Sequence, residues 1–139
     1  MITRHTLDLN DAKRMVAAAE ELATANGWHL SFAIVDHSGH LVLMHRMDNA
    51  SLASINIACQ KARSALYYQT ATRNLEQGVA AGKTGLLALP DIVAFEGGVP
   101  VVVNGQLVGA VGASGGAGHE DGAAAMEARE KVIGSTTAE

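Results

Sequence analysis

Lys61 is the first of three residues in this sequence whose chemistry could serve a ligand or a substrate. It lies beside an apolar stripe on a predicted helix. If the side chain turns toward a pocket, its ammonium would bind a carboxylate, and burial would lower the pKa of the amine toward that of a general base. If it lies at the edge of the stripe, it would extend to solvent. Both interpretations stay open from the residues alone.

His119 is the second, and it follows the glycine-rich run Gly115-Gly116-Ala117-Gly118 at the start of the last predicted helix. Exposed amides at a helix start attract anions, and an imidazole there would add a base or a ligand. Glu120 and Asp121 place negative charge at the same helix start. The alternative is therefore a helix start capped by its own acidic residues, with no ligand.

Ser114, the third, ends a predicted strand. Its Ala-Ser-Gly context is not the Gly-x-Ser-x-Gly elbow of a hydrolase, and no partner acid and base can be identified. We predict a hydroxyl that bonds a ligand or the neighbouring loop. Asp36, in the run Asp36-His37-Ser38-Gly39, is typical of a turn carboxylate that accepts backbone amides.

The remaining histidines do not predict a metal site. His29, His37, His40 and His45 surround the first predicted hairpin, but no pair has the spacing of a known metal motif. The sequence also has no phosphate-binding loop and no dinucleotide-binding fingerprint.

Glycine-rich backbone lies at both ends of a second predicted hairpin. The stretch from Phe95 to Pro100 contains Gly97-Gly98, and Gly115 belongs to a second glycine-rich segment after the hairpin. Backbone without side chains lets another group come close. We therefore predict a pocket wall here that accepts an acidic ligand, with Phe95, Gly97, Gly98 and Gly115 among the ligand-binding residues.

The elements that must position these residues follow from periodicity and turn signals. Asn104-Gly105 is a strong signal for a tight hairpin. Because hairpins dominate, we expect an α/β (α+β) domain with an antiparallel sheet of about five strands and flanking helices. We predict helices over 10–26, 51–70 and 72–81 and from about 118, and strands over 30–36, 41–47, 92–95, 101–103 and 106–113.

Composition excludes several classes of protein. The chain has 139 residues, which predicts a single domain over 1–139, and a net charge of −4 with no basic run, which argues against nucleic-acid binding. No segment is long and apolar enough to span a membrane. A single cysteine, Cys59, excludes an internal disulfide, and with no visible signal peptide we expect a cytoplasmic protein.

Several segments together resemble one family over about residues 7 to 133. They are Val35 to Leu41, Arg46-Met47-Asp48, Lys61-Ala62, Gly97-Gly98-Val99-Pro100, Val108 to Gly116, and Asp121. Their order and spacing resemble the GlcG/HbpS family of haem-binding proteins, which includes the C-terminal domain of PduO-type proteins. The resemblance implies a profilin-like fold, homo-oligomers and haem as a possible cofactor. It also implies a shared cleft formed by Asp36, Met47, Lys61, Gly97, Gly98, Pro100, Ser114 and Asp121.

Three functions are compatible with these observations. The favoured one is a small-molecule binding protein for haem or a similar carboxylate-bearing ligand, with His119 or a histidine of the first hairpin on the iron, and Lys61 or the amides near Gly115 on a propionate. The second is a cofactor-independent isomerase, hydratase or lyase for a small carboxylate, with Lys61 or His119 as acid or base. The third is an accessory subunit without a ligand.

Overall fold

The computed structural model describes residues 1–133 of the chain. Four helices and four strands form the framework, with a short 3-10 helix at Thr84–Ala88. The elements are α1 (Leu9–Asn26), β1 (Ser31–Asp36), β2 (Leu41–Arg46), α2 (Ser54–Tyr67), α3 (Thr72–Ala80), β3 (Gly98–Val103), β4 (Gln106–Ser114) and α4 (Gly118–Ile133). No helix in the described part of the chain is long and apolar enough to cross a membrane.

Local signals define the ends of several elements. Asp8 caps α1 through a reciprocal capping box with Asp11, and Gly27 ends the helix in the left-handed conformation, with φ of 72°. Asn104 and Gly105 both have positive φ, 51° and 78°, as a two-residue hairpin turn of type I′ requires. The predicted first helix and second hairpin are therefore confirmed.

The sheet is antiparallel throughout and has the order β2-β1-β4-β3. Ser31 of β1 pairs with Ser114 of β4, and Gly98 of β3 pairs with Gly112 of β4. The expected α+β architecture is confirmed. β3 is an edge strand, which tolerates Pro100 because one side of the strand needs no backbone donor.

The predicted strand over residues 92–95 is wrong, and the sheet has four strands rather than about five. Side chains of α2 and α3 supply the acceptors that a neighbouring strand would have supplied. The Val93 amide donates to Ser64 Oγ at 2.8 Å, and the Glu96 amide donates to Glu76 Oε1 at 2.9 Å. The segment therefore leads into β3 as an irregular connection held against two helices.

The two faces of the sheet pack on different helices. Phe32, Ile34 and Val111 belong to a core with α1 and α4, whereas Ala33, Val35 and Ala110 pack against α2. α2 lies so close to the sheet that a Cβ on Gly112 would collide with the carbonyl oxygen of Ala58. Residues on α2 and α4 are therefore separated by the sheet except near its edges.

Candidate functional site

Lys61 points into the protein and pairs with Asp121. Its Nζ lies 3.0 Å from Asp121 Oδ2 and donates a second hydrogen bond to the carbonyl oxygen of Ala113 at 3.1 Å. Lys61 is 3% exposed and Asp121 is 2% exposed. The interpretation in which Lys61 extends to solvent is therefore wrong, because its ammonium has two acceptors inside the fold.

The glycine pair before β3 makes room for this lysine. A Cβ on Gly97 would lie 2.8 Å from Lys61 Nζ, and a Cβ on Gly98 would collide with the Lys61 carbonyl oxygen. Gly97 also has φ of 138°, which side chains rarely adopt. The bare backbone of Gly98 thus approaches Lys61 most closely, and that of Gly97 lies against the Ala113 carbonyl oxygen and Lys61 Nζ.

Asp121 also caps the start of α4. Its Oδ1 accepts the Gly116 amide at 3.0 Å, and the neighbouring Ala117 amide donates to Glu120 Oε1 at 2.9 Å. The capped-helix interpretation is confirmed for these two amides. Burial raises the pKa of Asp121 above its ordinary value of 3.8, while the charge of Lys61 and the hydrogen bonds from Lys61 and Gly116 oppose the shift.

An open cavity of about 290 Å³ lies above this ion pair, and we call it the Ser114 cavity. Ser114 is 6% exposed, and its Oγ has no hydrogen-bond partner among residues 1–133. Phe95, 65% exposed, stands at the cavity. The full lining comprises Ile57, Lys61, Glu76, Phe95, Glu96, Ser114, Gly116, Gly118 and Asp121.

A second cavity of about 470 Å³ lies on the other side of Glu96, and we call it the Arg129 cavity. Its polar residues include His119, which is exposed, and two arginines from different helices, Arg73 and Arg129. Arg129 Nε is buried without a hydrogen-bond partner in the described part of the chain. The remaining lining residues are Ala71, Asn74, Gly97, Gly98, Val99, Gly122, Ala123 and Met126.

The structure therefore divides seven of the predicted site residues between two cavities and leaves the other four outside both. Lys61, Phe95, Ser114 and Asp121 line the Ser114 cavity, while Gly97, Gly98 and His119 line the Arg129 cavity. Lys61 and His119, the two predicted acid–base residues, do not share a cavity.

Asp36 and Met47 are not brought together with Lys61. Asp36 pairs with Gly109, about 17 Å along β1 from Ser31 at the strand spacing of about 3.3 Å per residue. Its Oδ1 accepts the amides of Ser38 and His40 at 2.9 and 3.1 Å, so its turn role is confirmed. Met47 packs on the core shared with α1 and α4.

Pro100 and Gly115 line neither of the two cavities. Pro100 lies within edge strand β3, opposite Ala110. Gly115 has φ of 123°, and a Cβ there would lie 2.8 Å from the His29 carbonyl oxygen. The absence of a side chain at Gly115 thus allows a close backbone contact with His29 beside the sheet.

Sequence reasoning missed Arg73, Arg129, Glu76 and Glu96 as cavity residues. A usable signal existed on α4, where His119, Gly122, Met126 and Arg129 follow one another at intervals of three or four residues and so form one stripe of the helix. That stripe has no long apolar residue other than Met126, which is unlike a core-facing stripe.

Comparisons with known proteins agree with this architecture. A family model described as "Haem degrading protein HbpS-like" matches residues 7–130. Protein GlcG of Escherichia coli strain K12 is 40% identical over 114 residues, covering 82% of this chain and 85% of GlcG.

Solved structures are similar over nearly the whole chain. The Klebsiella pneumoniae protein ORFY superposes with a TM-score of 0.90 at 35% identity, covering 94% of this chain and 93% of ORFY. A structure described as a PduOC:Heme complex has a TM-score of 0.83 at 30% identity, covering 91% of this chain and 94% of that chain. The family model over residues 7–130 and the 40% identity to GlcG show that the chain belongs to the HbpS-like family.

Proposed function

We propose that this protein binds haem or another planar, carboxylate-bearing molecule in the Arg129 cavity. The description of the HbpS-like family model names haem degradation. A relative of similar fold was crystallised with haem. These facts concern the relatives. The support from this chain is the chemistry of the residues that line the cavity, above all the guanidinium groups of Arg73 and Arg129, neither of which has a close ion-pair partner among residues 1–133.

The charge of the cavity favours an anion. Arg73 and Arg129 supply two guanidinium groups, and Glu96 is the one carboxylate among the lining residues. Arg73 has no ion-pair partner among residues 1–133, and Arg129 has only a long contact of 3.8 Å to Glu130. A ligand carboxylate that accepts from the guanidinium group of Arg129 would form charge-assisted hydrogen bonds, which are stronger than bonds between neutral groups.

The cavity also contains donors that haem iron accepts. Histidine and methionine are common axial ligands, and His119 and Met126 both line the Arg129 cavity. The lining of the Ser114 cavity contains no histidine, methionine, cysteine or tyrosine. Bound haem would supply a redox-active iron. This chain would hold the group through His119, pair its propionates with Arg73 and Arg129, and cover one edge with Val99 and Met126.

This proposal changes the role expected of Lys61. Its ammonium is committed to Asp121 and Ala113, so it is a positioning residue that ties α2 to the end of β4 and the start of α4 and packs closely against Gly97 and Gly98. The acid–base alternative stays a prediction. It would have to use Lys61 and His119 separately, because they line different cavities.

Titration of the full chain with hemin, followed by the Soret band, tests the proposal. We expect saturable binding with a defined band. His119→Ala should move the band, and Arg129→Gln should weaken binding at least about tenfold, since a charge-assisted hydrogen bond contributes about 1.5–3 kcal/mol.

Two matched controls accompany these variants. His45→Ala removes an exposed histidine that pairs with Glu20 on α1, and Arg14→Gln removes an exposed arginine that pairs with Asp11. Both should bind hemin like the unchanged protein. Absence of saturable binding, or equal spectra and affinities in all five proteins, would contradict the proposal and favour a subunit without this ligand.

A further inference from the structure

We infer that the Ser114 cavity is a second binding site, and that its ligand is a small primary organic ammonium ion. This inference goes beyond the proposed function and does not depend on it. It rests on an unpartnered hydroxyl, an excess of carboxylates and an exposed aromatic ring, which converge on one cavity.

The hydroxyl of Ser114 is the observation that points to a ligand. Ser114 is the last residue of β4, is 6% exposed, and lines the cavity. Ser31, its neighbour across the strand pair, shows what a satisfied hydroxyl looks like here, because its Oγ bonds Ser54 Oγ at 2.7 Å. Ser114 Oγ has no such partner among residues 1–133 and is open to the cavity, so a ligand donor there can reach it.

The charged residues of the cavity determine whether the ligand should be a cation or an anion. Lys61 and Asp121 neutralise each other at 3.0 Å. Glu76 and Glu96 are both half-buried, line the cavity, and have no cationic partner within the described residues. Glu76 therefore remains without a cation, and Glu96, which also lines the Arg129 cavity, adds to the negative charge, which favours a cation and opposes a carboxylate.

The number of hydrogen-bond acceptors in the cavity favours a primary ammonium in particular. Glu76 Oε1 is already held by the Glu96 amide at 2.9 Å, so its position is defined. A primary ammonium has three N–H donors, enough for Glu76, Glu96 and Ser114 together. A quaternary ammonium has none and would leave the hydroxyl unpaired.

The apolar part of such a ligand has matching surfaces. Phe95 is 65% exposed at the cavity, and Ile57 is half-buried on the α2 side. An aromatic face attracts a cation and also covers methylene groups. A volume of about 290 Å³ limits the ligand to a small molecule.

The two cavities thus have opposite charge on either side of Glu96. The Arg129 cavity carries two arginines against Glu96, whereas the Ser114 cavity carries Glu76 and Glu96 beyond its neutral pair. A carboxylate-bearing ligand would therefore bind in the Arg129 cavity, and an ammonium ligand would bind in the Ser114 cavity. Failure of either site leaves the other proposal intact.

Calorimetric titration of the full chain with n-butylammonium near neutral pH tests this inference. We expect saturable binding that Glu76→Gln and Ser114→Ala each weaken at least about tenfold. Glu76→Gln keeps an oxygen that can accept the Glu96 amide, so it changes the charge and preserves that contact. Hemin binding by both variants should equal that of the unchanged protein.

The controls separate a built site from general charge attraction. Glu127→Gln removes an exposed carboxylate of α4 that lines neither cavity and should leave butylammonium binding unchanged. Butyrate and tetramethylammonium should bind much more weakly than butylammonium. Lack of saturation, equal binding by Glu76→Gln and the unchanged protein, or equal binding of butyrate would overturn the inference.

Discussion

Lys61 Nζ and Asp121 Oδ2 lie 3.0 Å apart, although their helices pack on opposite faces of the sheet. The contact is possible because it passes the end of β3, where Gly97 has no side chain. The pair thereby joins α2 to the start of α4 and forms the floor of the Ser114 cavity. Stability and the shape of the candidate site therefore depend on the same two residues.

Removing the lysine should destabilise the fold strongly. Lys61→Met leaves the Asp121 carboxylate buried without its cation, and we expect a loss of about 3–5 kcal/mol in the free energy of unfolding. The double variant Lys61→Met, Asp121→Asn should recover part of that loss, because no unpaired charge remains. Chemical denaturation measures both.

Arg14→Ala is the matched control for this ion pair. Arg14 and Asp11 form a pair at 2.9 Å whose arginine side chain is 44% exposed, so its removal should cost less than about 1 kcal/mol. If Lys61→Met and Arg14→Ala lower the free energy of unfolding by the same amount, the buried pair does not stabilise the fold more than an exposed pair does.

The close approach of α2 to β3 should make Gly98 intolerant of a side chain. Gly98→Ala places a Cβ against the Lys61 carbonyl oxygen and should lower the free energy of unfolding by about 1–3 kcal/mol. Gly85→Ala is the control, since a Cβ at Gly85 meets nothing within 4 Å and should change stability by less than about 0.5 kcal/mol. Thermal denaturation distinguishes them, and similar melting temperatures would refute the steric argument.

Asp121 should give stability an unusual dependence on pH. Burial raises the pKa of Asp121 in the folded protein, so the folded state holds that proton more tightly than the unfolded chain does. The contribution of this group to the free energy of unfolding therefore falls as pH rises from about 3.8 through the folded pKa. Urea denaturation between about pH 3.5 and 7 should therefore give a more negative pH slope of the free energy of unfolding in the unchanged protein than in Asp121→Asn.

Asp8 provides the opposite case within the same chain. Hydrogen bonding from the Asp11 amide lowers the pKa of Asp8, so its contribution is present at neutral pH and is lost as pH falls. The pH slope should therefore change with opposite sign in Asp8→Asn and Asp121→Asn. Slopes that change in the same direction would contradict the assignment.

Thr72 should stabilise the segment that separates the two cavities. It is fully buried, and its Oγ1 accepts the Gly98 amide at 2.8 Å. Thr72→Val leaves that amide without its acceptor and should cost about 1–3 kcal/mol, with faster hydrogen exchange at Gly98. Thr72→Ser keeps the oxygen and should retain slow exchange. Equal exchange rates in the two variants would show that the bond is unimportant.

Much of the fold could be predicted because its signals are local. The 3.6-residue period of α1 and its cap at Gly27, and the Asn104-Gly105 turn, depend on residues adjacent in the chain. The family resemblance followed from the same short segments. The strand predicted over 92–95 failed because the Val93 amide bonds Ser64, 29 residues away, and the Glu96 amide just beyond the segment bonds Glu76, 20 residues away.

The sequence by itself determined most of the elements, their antiparallel arrangement and a set of residues with suitable chemistry. Only the tertiary structure decided which of them meet. Lys61 and Asp121 are 60 positions apart, and Arg73 reaches the same cavity as Arg129 from another helix. Such contacts depend on how helices pack against a sheet, which the spacing of residues along one element does not encode.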